Sequence, residues 1–296
     1  MDDLLTQFTL KPIVIKENKT LKKIEPDKQN PDWNILINND KLLSPMTLSL
    51  SPPIQLFVDD SKANNTFIEP GVSASAVKAV EQIPGRNWIG KLASNGNREV
   101  AILVPQGVDT TKPVEIIYYF HGHNGKISES LTNKNYGLKD QIQKMVKQQR
   151  NIIVVVPQGP PKKLDYTWMN GKNKEDMAQF QTDTLQILKQ QLGRESIVGS
   201  VTVKGHSAGG RPIMNAAGEG KLKADRIDFL DASYGTWATR TYKNYVAKNP
   251  SVSMNLYYIP GSQTSVDALS LKKKSGVTLQ PVHVSHSAVP KTVFSL

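Results

Sequence analysis

Apolar positions fall along this chain in two different ways. From about residue 87 onward they form short dense runs separated by longer stretches of helical period. The runs are 88–92, 99–104, 114–120, 151–156, 201–203, 227–230, 254–259 and 277–284. Runs of this length, rich in Val and Ile, predict strands buried on both faces. Between them, 138–149 puts Leu138, Ile142, Met145 and Val146 on one helical face. A second helix over 175–192 turns Met177, Phe180, Leu185, Leu188 and Leu192 inward. Asn95-Gly96, between the first two runs, signals a tight hairpin. A hairpin followed by alternating strands and helices predicts an α/β protein, its mostly parallel central sheet covered by helices on both faces. Sheets of that kind carry their sites at the carboxyl ends of the strands.

Residues 1–75 do not share this rhythm. Pro12, Pro26, Pro31, Pro45, Pro52, Pro53 and Pro70 interrupt every pattern before it lengthens. Strand-like runs remain at 12–15, 46–50 and 54–58. The reading is an N-terminal accessory segment over 1–75, extended or small and β-rich, and a main domain over 76–296. A short helix over 73–81 ends at Pro84-Gly85.

Composition narrows the picture. With 296 residues, 38% hydrophobic, the chain can bury a sizeable core. It has no cysteine, which excludes disulfides and thiolate metal sites, and no metal is expected. No apolar run approaches a membrane span, and the start, Met1-Asp2-Asp3, does not read as a signal peptide. A cytoplasmic protein and a secreted or periplasmic one whose signal has been removed both stay open. The net charge of +11 is uneven: residues 1–75 hold 8 basic and 10 acidic side chains, so the surplus lies beyond them. A solvated lysine-rich surface explains it most simply; attraction to an anionic surface, such as a bacterial envelope or an acidic polymer, is the sharper reading. No stripe of aromatics interleaved with arginine suggests nucleic acid.

Candidate chemistry concentrates at 200–214. The β-branched run 201–203 meets Gly205-His206-Ser207-Ala208-Gly209, and small residues open a helix after it. This is the G-x-S-x-G elbow in strand–turn–helix context. The tight turn would project the Ser207 hydroxyl into a cleft, and side chains at 205 and 209 would collide with the neighbouring strand and helix. Ala208 would offer its backbone N–H at a helix start, where an oxyanion is favoured.

With Gly205-His206-Ser207-Ala208-Gly209, with His121-Gly122-His123-Asn124 after an apolar strand, and with an acid and a histidine following in that order, residues 87–296 resemble the α/β-hydrolase superfamily. The resemblance implies the α/β-hydrolase fold and cofactor-free hydrolysis of an ester, thioester or amide through a Ser–acid–His triad. It makes His123 the second backbone oxyanion donor, with the His121 imidazole bracing that loop. Asp231 and Asp267 compete as the acid. Asp231 ends a strand and is similar in placement to the acid of the pancreatic-type lipases; Asp267 follows the next strand, where most of the superfamily places its acid, but reads equally well as part of a helix start. Asp231 is preferred. Asp228 reads as a strand residue. The histidine must come last, so His283 and His286 are the candidates; alternation puts His283 inside a strand and His286 in the loop beyond, and His286 is preferred. Tyr166 and Trp168 in the loop 158–173, with Tyr234 and Trp237 after Asp231, would line a substrate pocket. The expected function is a serine hydrolase cleaving a carboxylic ester of a small molecule or polymer. A peptidase or amidase, an acyltransferase, and a catalytically silent binding module are the alternatives.

Overall fold

The structure is a computed structural model and describes residues 14–17, 20–23, 65–172, 175–219 and 221–296. It divides the chain into two compact units, 1–55 and 56–296. In the first, β1 (Val14–Glu17) and β2 (Thr20–Lys23) pair antiparallel, Val14 opposite Lys23. That fits the strand-like reading near 12–15; the runs expected at 46–50 and 54–58 lie outside the described residues.

The described residues of the second unit form nine strands: β3 (Asn65–Ile68), β4 (Gly85–Leu92), β5 (Arg98–Pro105), β6 (Val114–Phe120), β7 (Ile152–Pro157), β8 (Val198–His206), β9 (Arg226–Leu230), β10 (Ser253–Tyr258) and β11 (Val277–Pro281). Their order across the sheet is β11-β10-β9-β8-β6-β7-β5-β4-β3. Only β5 runs against the others, antiparallel to β4 and β7. The boundary expected at residue 75 is therefore too late. Asn65–Ile68 pairs parallel to β4 through residues 86–89 and belongs to the main sheet. Four residues beside Pro70 are too short a run to announce a strand; the pairing is tertiary.

Among the described residues eight α-helices accompany the sheet: α1 (Ala74–Val80), α2 (Ile127–Thr132), α3 (Leu138–Lys147), α4 (Met177–Leu192), α5 (Gly210–Gly218), α6 (Trp237–Asn244), α7 (Gln263–Ser270) and α8 (Val289–Val293). Strand alternation feeds two cores. Ile116, Tyr118 and Phe120 of β6 face one layer with Phe180 and Leu188 of α4 and Ile213 of α5. Ile117 and Tyr119 face the other, with Leu138, Ile142 and Met145 of α3 and Val293 of α8. One inward assignment fails. Leu185 is 38% exposed, while Thr184 and Ile187 beside it are buried. The face of α4 is thus rotated so that Gln181 and Thr184 join Phe180 and Leu188 inside. Thr184 satisfies its hydroxyl on the Phe180 carbonyl at 2.8 Å, which removes the cost of burying it.

Under the elbow lies a buried ion pair. Lys204 Nζ donates to Asp228 Oδ2 at 2.6 Å, with both side chains at 0% exposure. Arg226 Nε and Asn255 Nδ2 donate to the other carboxylate oxygen at 2.8 and 2.7 Å. Burial alone would raise the Asp228 carboxyl pKa; Lys204 and Arg226 outweigh it and hold it low. Asp228 is thus a structural residue of β9, as the sequence reading has it.

Candidate active site

Because β6 to β11 are all parallel, their carboxyl ends meet on one edge of the sheet, and β9, β8, β6 and β7 stand side by side there. Ser207 follows β8 in the left-handed region, φ 53°. The turn is as tight as expected. A Cβ on Gly205 would come within 2.4 Å of the Gly209 carbonyl oxygen, and one on Gly209 within 2.0 Å of the Phe120 carbonyl oxygen of β6. Both distances lie far inside van der Waals contact, so only glycine fits either place.

At the end of β9, Asp231 is also left-handed, φ 49°. Two of the few non-glycine residues in this strained region are thus the proposed serine and the preferred acid. Asp231 is buried, and its carboxylate is fully used. Oδ2 accepts from His286 Nδ1 at 2.6 Å. Oδ1 accepts from the Thr264 hydroxyl and, at 3.4 Å, from the Ile259 N–H. Burial pushes this carboxyl pKa up, but the hydrogen bonds from His286 and Thr264 prevail and keep it below the ordinary carboxylate range. A carboxylate ionised at neutral pH then fixes the imidazole tautomer: Nδ1 carries the proton, and Nε2 is left as the acceptor.

His286 sits in a short 3-10 turn, His286–Ala288, after β11. His283 is exposed, and it is not inside the strand, which stops at Pro281. One further bond, from the Val282 N–H to the Tyr258 carbonyl at 2.9 Å, closes the pairing just before His283. Asp267 is buried elsewhere. It lies within α7, and its carboxylate accepts from the Ala238 N–H at 2.7 Å and the Thr239 hydroxyl at 2.5 Å. It therefore holds the first turn of α6, and the structure brings Asp231, not Asp267, to His286.

Sequence reasoning assigned no role to His206. It is buried between two aromatic neighbours, with the His286 ring 4.6 Å from its own and Tyr136 at 5.7 Å. Its Nε2–H donates to the His286 backbone carbonyl at 3.0 Å. Burial, then the nearby His286 charge, lowers its pKa to about 3, so it is neutral at physiological pH. Two points thus hold His286: Asp231 on its ring and His206 on its backbone.

Facing the elbow is the loop after β6. The His121 Nδ1–H and the Gly125 N–H both donate to the Gly122 carbonyl, at 2.8 and 3.1 Å. The other imidazole nitrogen accepts from the Gly159 N–H at 2.9 Å. Burial lowers the His121 pKa to about 4, in keeping with this neutral tautomer. In a trans peptide, C=O and N–H point in opposite directions. Fixing the Gly122 carbonyl therefore also fixes the direction of the His123 N–H. A Cβ on Gly122 would stand 3.3 Å from the Ser207 hydroxyl oxygen, so this loop lies directly against the serine. Gln158, at the end of β7, adds a brace: its side-chain N–H donates to the Gly125 carbonyl at 2.8 Å.

The four expected pocket residues separate. Trp168 is 2% exposed, edge-on to Phe120 at 5.0 Å, and its indole N–H donates to Asn95 at 3.1 Å. It is a core residue and not a pocket wall, because its one polar group finds a buried partner on the β4–β5 turn. Tyr166, two residues earlier, is 58% exposed. Tyr234 stands beside Ser207, close enough for the serine to influence its phenol, with its ring 6.4 Å from the His286 ring. Trp237 packs against Tyr234 at 5.6 Å. Among the described residues no group of three or more side chains could hold a metal, and no helix is long and apolar enough to cross a membrane.

No family model matches the chain, and no curated protein matches it in sequence. Solved structures do. A ferulic acid esterase superposes with a TM-score of 0.50 at 13% identity, over 70% of this chain and 95% of its own. A feruloyl esterase module from Clostridium thermocellum, complexed with sinapinate, gives 0.48 at 12%, over 78% and 95%. The fluorophosphonate-binding serine hydrolase F of Staphylococcus aureus gives 0.47 at 10%, over 70% and 94%. The first of these likenesses, with the strand order above, shows the fold: the chain has the α/β-hydrolase fold.

Proposed function

We propose that this protein is a serine hydrolase that cleaves a carboxylic ester through an acyl-enzyme on Ser207. The observation that carries the reading is the Asp231–His286 hydrogen bond, formed at strand ends beside a serine held in a left-handed turn. A fold hosts many functions, so the argument rests on the site and not on the likeness.

In this reading the Ser207 hydroxyl takes the staggered χ1 position that points it toward Nε2 of His286. His286 takes its proton as the oxygen attacks the ester carbonyl. Asp231, already ionised, stabilises the imidazolium without accepting a proton itself. Negative charge on the former carbonyl oxygen is met by the N–H groups of Ala208 and His123. Ala208 lies at the start of the elbow helix, and the His121–Gly122 bond governs the aim of the His123 N–H. Collapse expels the alcohol with the proton from His286. Water then repeats the sequence and releases the acid.

The test is labelling with a fluorophosphonate probe beside turnover of nitrophenyl esters of graded length. The wild-type protein should be labelled on Ser207 and should turn the esters over. Ser207→Ala should lose both, with turnover falling about 10⁴-fold or more, because removing one triad member disables the unit. Full turnover in folded Ser207→Ala would remove this serine from the chemistry.

A further inference from the structure

We propose that Arg211 and Arg240 form an anion subsite beside Ser207, so that the preferred substrate is an ester carrying a second, ionised carboxylate. The inference rests on the reading of Ser207 as the nucleophile, and it adds a substrate class.

Arg211 is half-buried on α5, and its Nε is buried without a hydrogen-bond partner. Among the described residues no carboxylate pairs with Arg211 or with Arg240. A buried guanidinium N–H normally finds an acceptor, because leaving it unpaired costs the full desolvation of a charged donor. What Arg211 has instead is an aromatic platform. Its guanidinium carbon lies 5.6 Å from the centroid of the Trp237 ring. That contact orients the fork and leaves its donors for something else.

A second cation stands nearby. Arg240 is exposed three residues after Trp237 on α6, so the two share a helix face. It is close enough that, after burial, its charge is the next cause lowering the Arg211 pKa. Two arginines within electrostatic reach and without an anion repel each other, and a bound carboxylate would relieve both that repulsion and the orphaned Nε.

The position ties this pair to the proposed chemistry. Arg211 follows Ser207 by four residues through one turn of 3-10 and α-helix, about 6–8 Å along the axis. Helical side chains lean toward the N-terminus, here toward Ser207. Ring contacts run from the site outward: His286 to the Tyr234 ring at 6.4 Å, Tyr234 to Trp237 at 5.6 Å, and Trp237 to the Arg211 guanidinium at 5.6 Å. A substrate with its ester carbonyl at Ser207 and a short carbon chain lying along Tyr234 and Trp237 would deliver its far carboxylate to the two guanidinium groups. Planar, bidentate recognition of a carboxylate is what arginine does better than lysine.

The experiment compares nitrophenyl monoesters of succinic, glutaric and adipic acids with neutral nitrophenyl esters of matching chain length. The wild-type protein should favour at least one anionic ester in kcat/KM by roughly 10-fold or more, the size of a charge-assisted contact. Arg211→Gln should cut that ratio by roughly 10- to 100-fold, and Arg211→Lys should restore part of it. A wild-type ratio near one, or a ratio unchanged in the Arg211→Gln/Arg240→Gln double variant, overturns the proposal. A second measurement separates it from the hydrolase reading. Glutarate is titrated into Ser207→Ala by calorimetry, with and without Arg211→Gln. Binding abolished by Arg211→Gln supports the subsite even if no ester is ever cleaved, an outcome that would sink the hydrolase reading instead. No binding at millimolar glutarate overturns the subsite even if neutral esters are turned over.

Discussion

Replacing each of two buried aspartates should separate turnover from folding. In Asp231→Asn the new amide keeps an oxygen for Thr264 and the Ile259 N–H, but its nitrogen now faces the imidazole where a carboxylate stood 2.6 Å away. An N–H cannot accept the Nδ1 proton, so the ring adopts the other tautomer and presents a protonated Nε2 to Ser207. The base is then blocked, and kcat should fall by about 10³- to 10⁴-fold, or roughly 4–5 kcal/mol of barrier. Asp267→Ala removes a different set of bonds, those from Ala238 and Thr239 that hold the start of α6. That is the loss of a helix cap, about 1–2 kcal/mol. For a unit of this size it lowers Tm by about 2–8 °C. On a small neutral ester, kcat should stay within about 10-fold, because Asp267 touches neither Ser207 nor His286. Both variants are to be scored by thermal unfolding and by steady-state kinetics on the same preparation. If Asp267→Ala is catalytically dead at unchanged Tm while Asp231→Asn turns over normally, the acid belongs to the later strand and the reasoning fails.

Two further outcomes follow from the histidines. His121 and His206 have folded pKa values lowered by burial to about 4 and about 3, so below about pH 6.5 the unfolded chain binds protons that the folded chain does not. Stability should therefore be complete above that pH and decline as pH falls toward 4, by roughly 3 kcal/mol for each; urea midpoints that stay flat across this window would contradict it. His206→Phe keeps the ring but removes the donor to the His286 carbonyl, and kcat should drop about 10-fold with a shifted pH profile, while His206→Gln recovers part. A pH profile identical to wild type would make His206 packing alone.

Strands β4 to β10 were legible because each is a dense apolar run, and the hairpin because Asn95-Gly96 carries its own turn chemistry. The elbow was legible for a steric reason: glycine is obligatory where Gly209 passes the Phe120 carbonyl. What the sequence hid depends on distance in space. Pattern alone could only prefer Asp231 to Asp267, since both follow strands and the difference lies in which oxygen meets His286. Trp168 looked like a pocket residue because nothing nearby in sequence hints at Asn95, seventy-three positions away. The end of β11 was misjudged by running the alternation through Pro281. His206 and Arg211 went unassigned for the same reason: one is defined by a carbonyl eighty residues on, the other by the partner it lacks. What marks such residues is a buried polar atom and the partner it has or lacks, which only the folded chain reveals.

The left-handed backbone at Ser207 and Asp231 has a consequence for any attempt to improve this protein by selection. Each position holds a side chain in a conformation that glycine would adopt at little cost, an unfavourable contribution of order 1–2 kcal/mol. Ser207→Gly is therefore among the substitutions with which a screen for heat resistance alone would reward the fold, whereas at Asp231 the hydrogen bonds from His286 and Thr264 outweigh the strain and hold the aspartate in place. A directed-evolution campaign scored on survival and blind to turnover would drift toward a tougher, inert protein, its loss sitting at the end of β8.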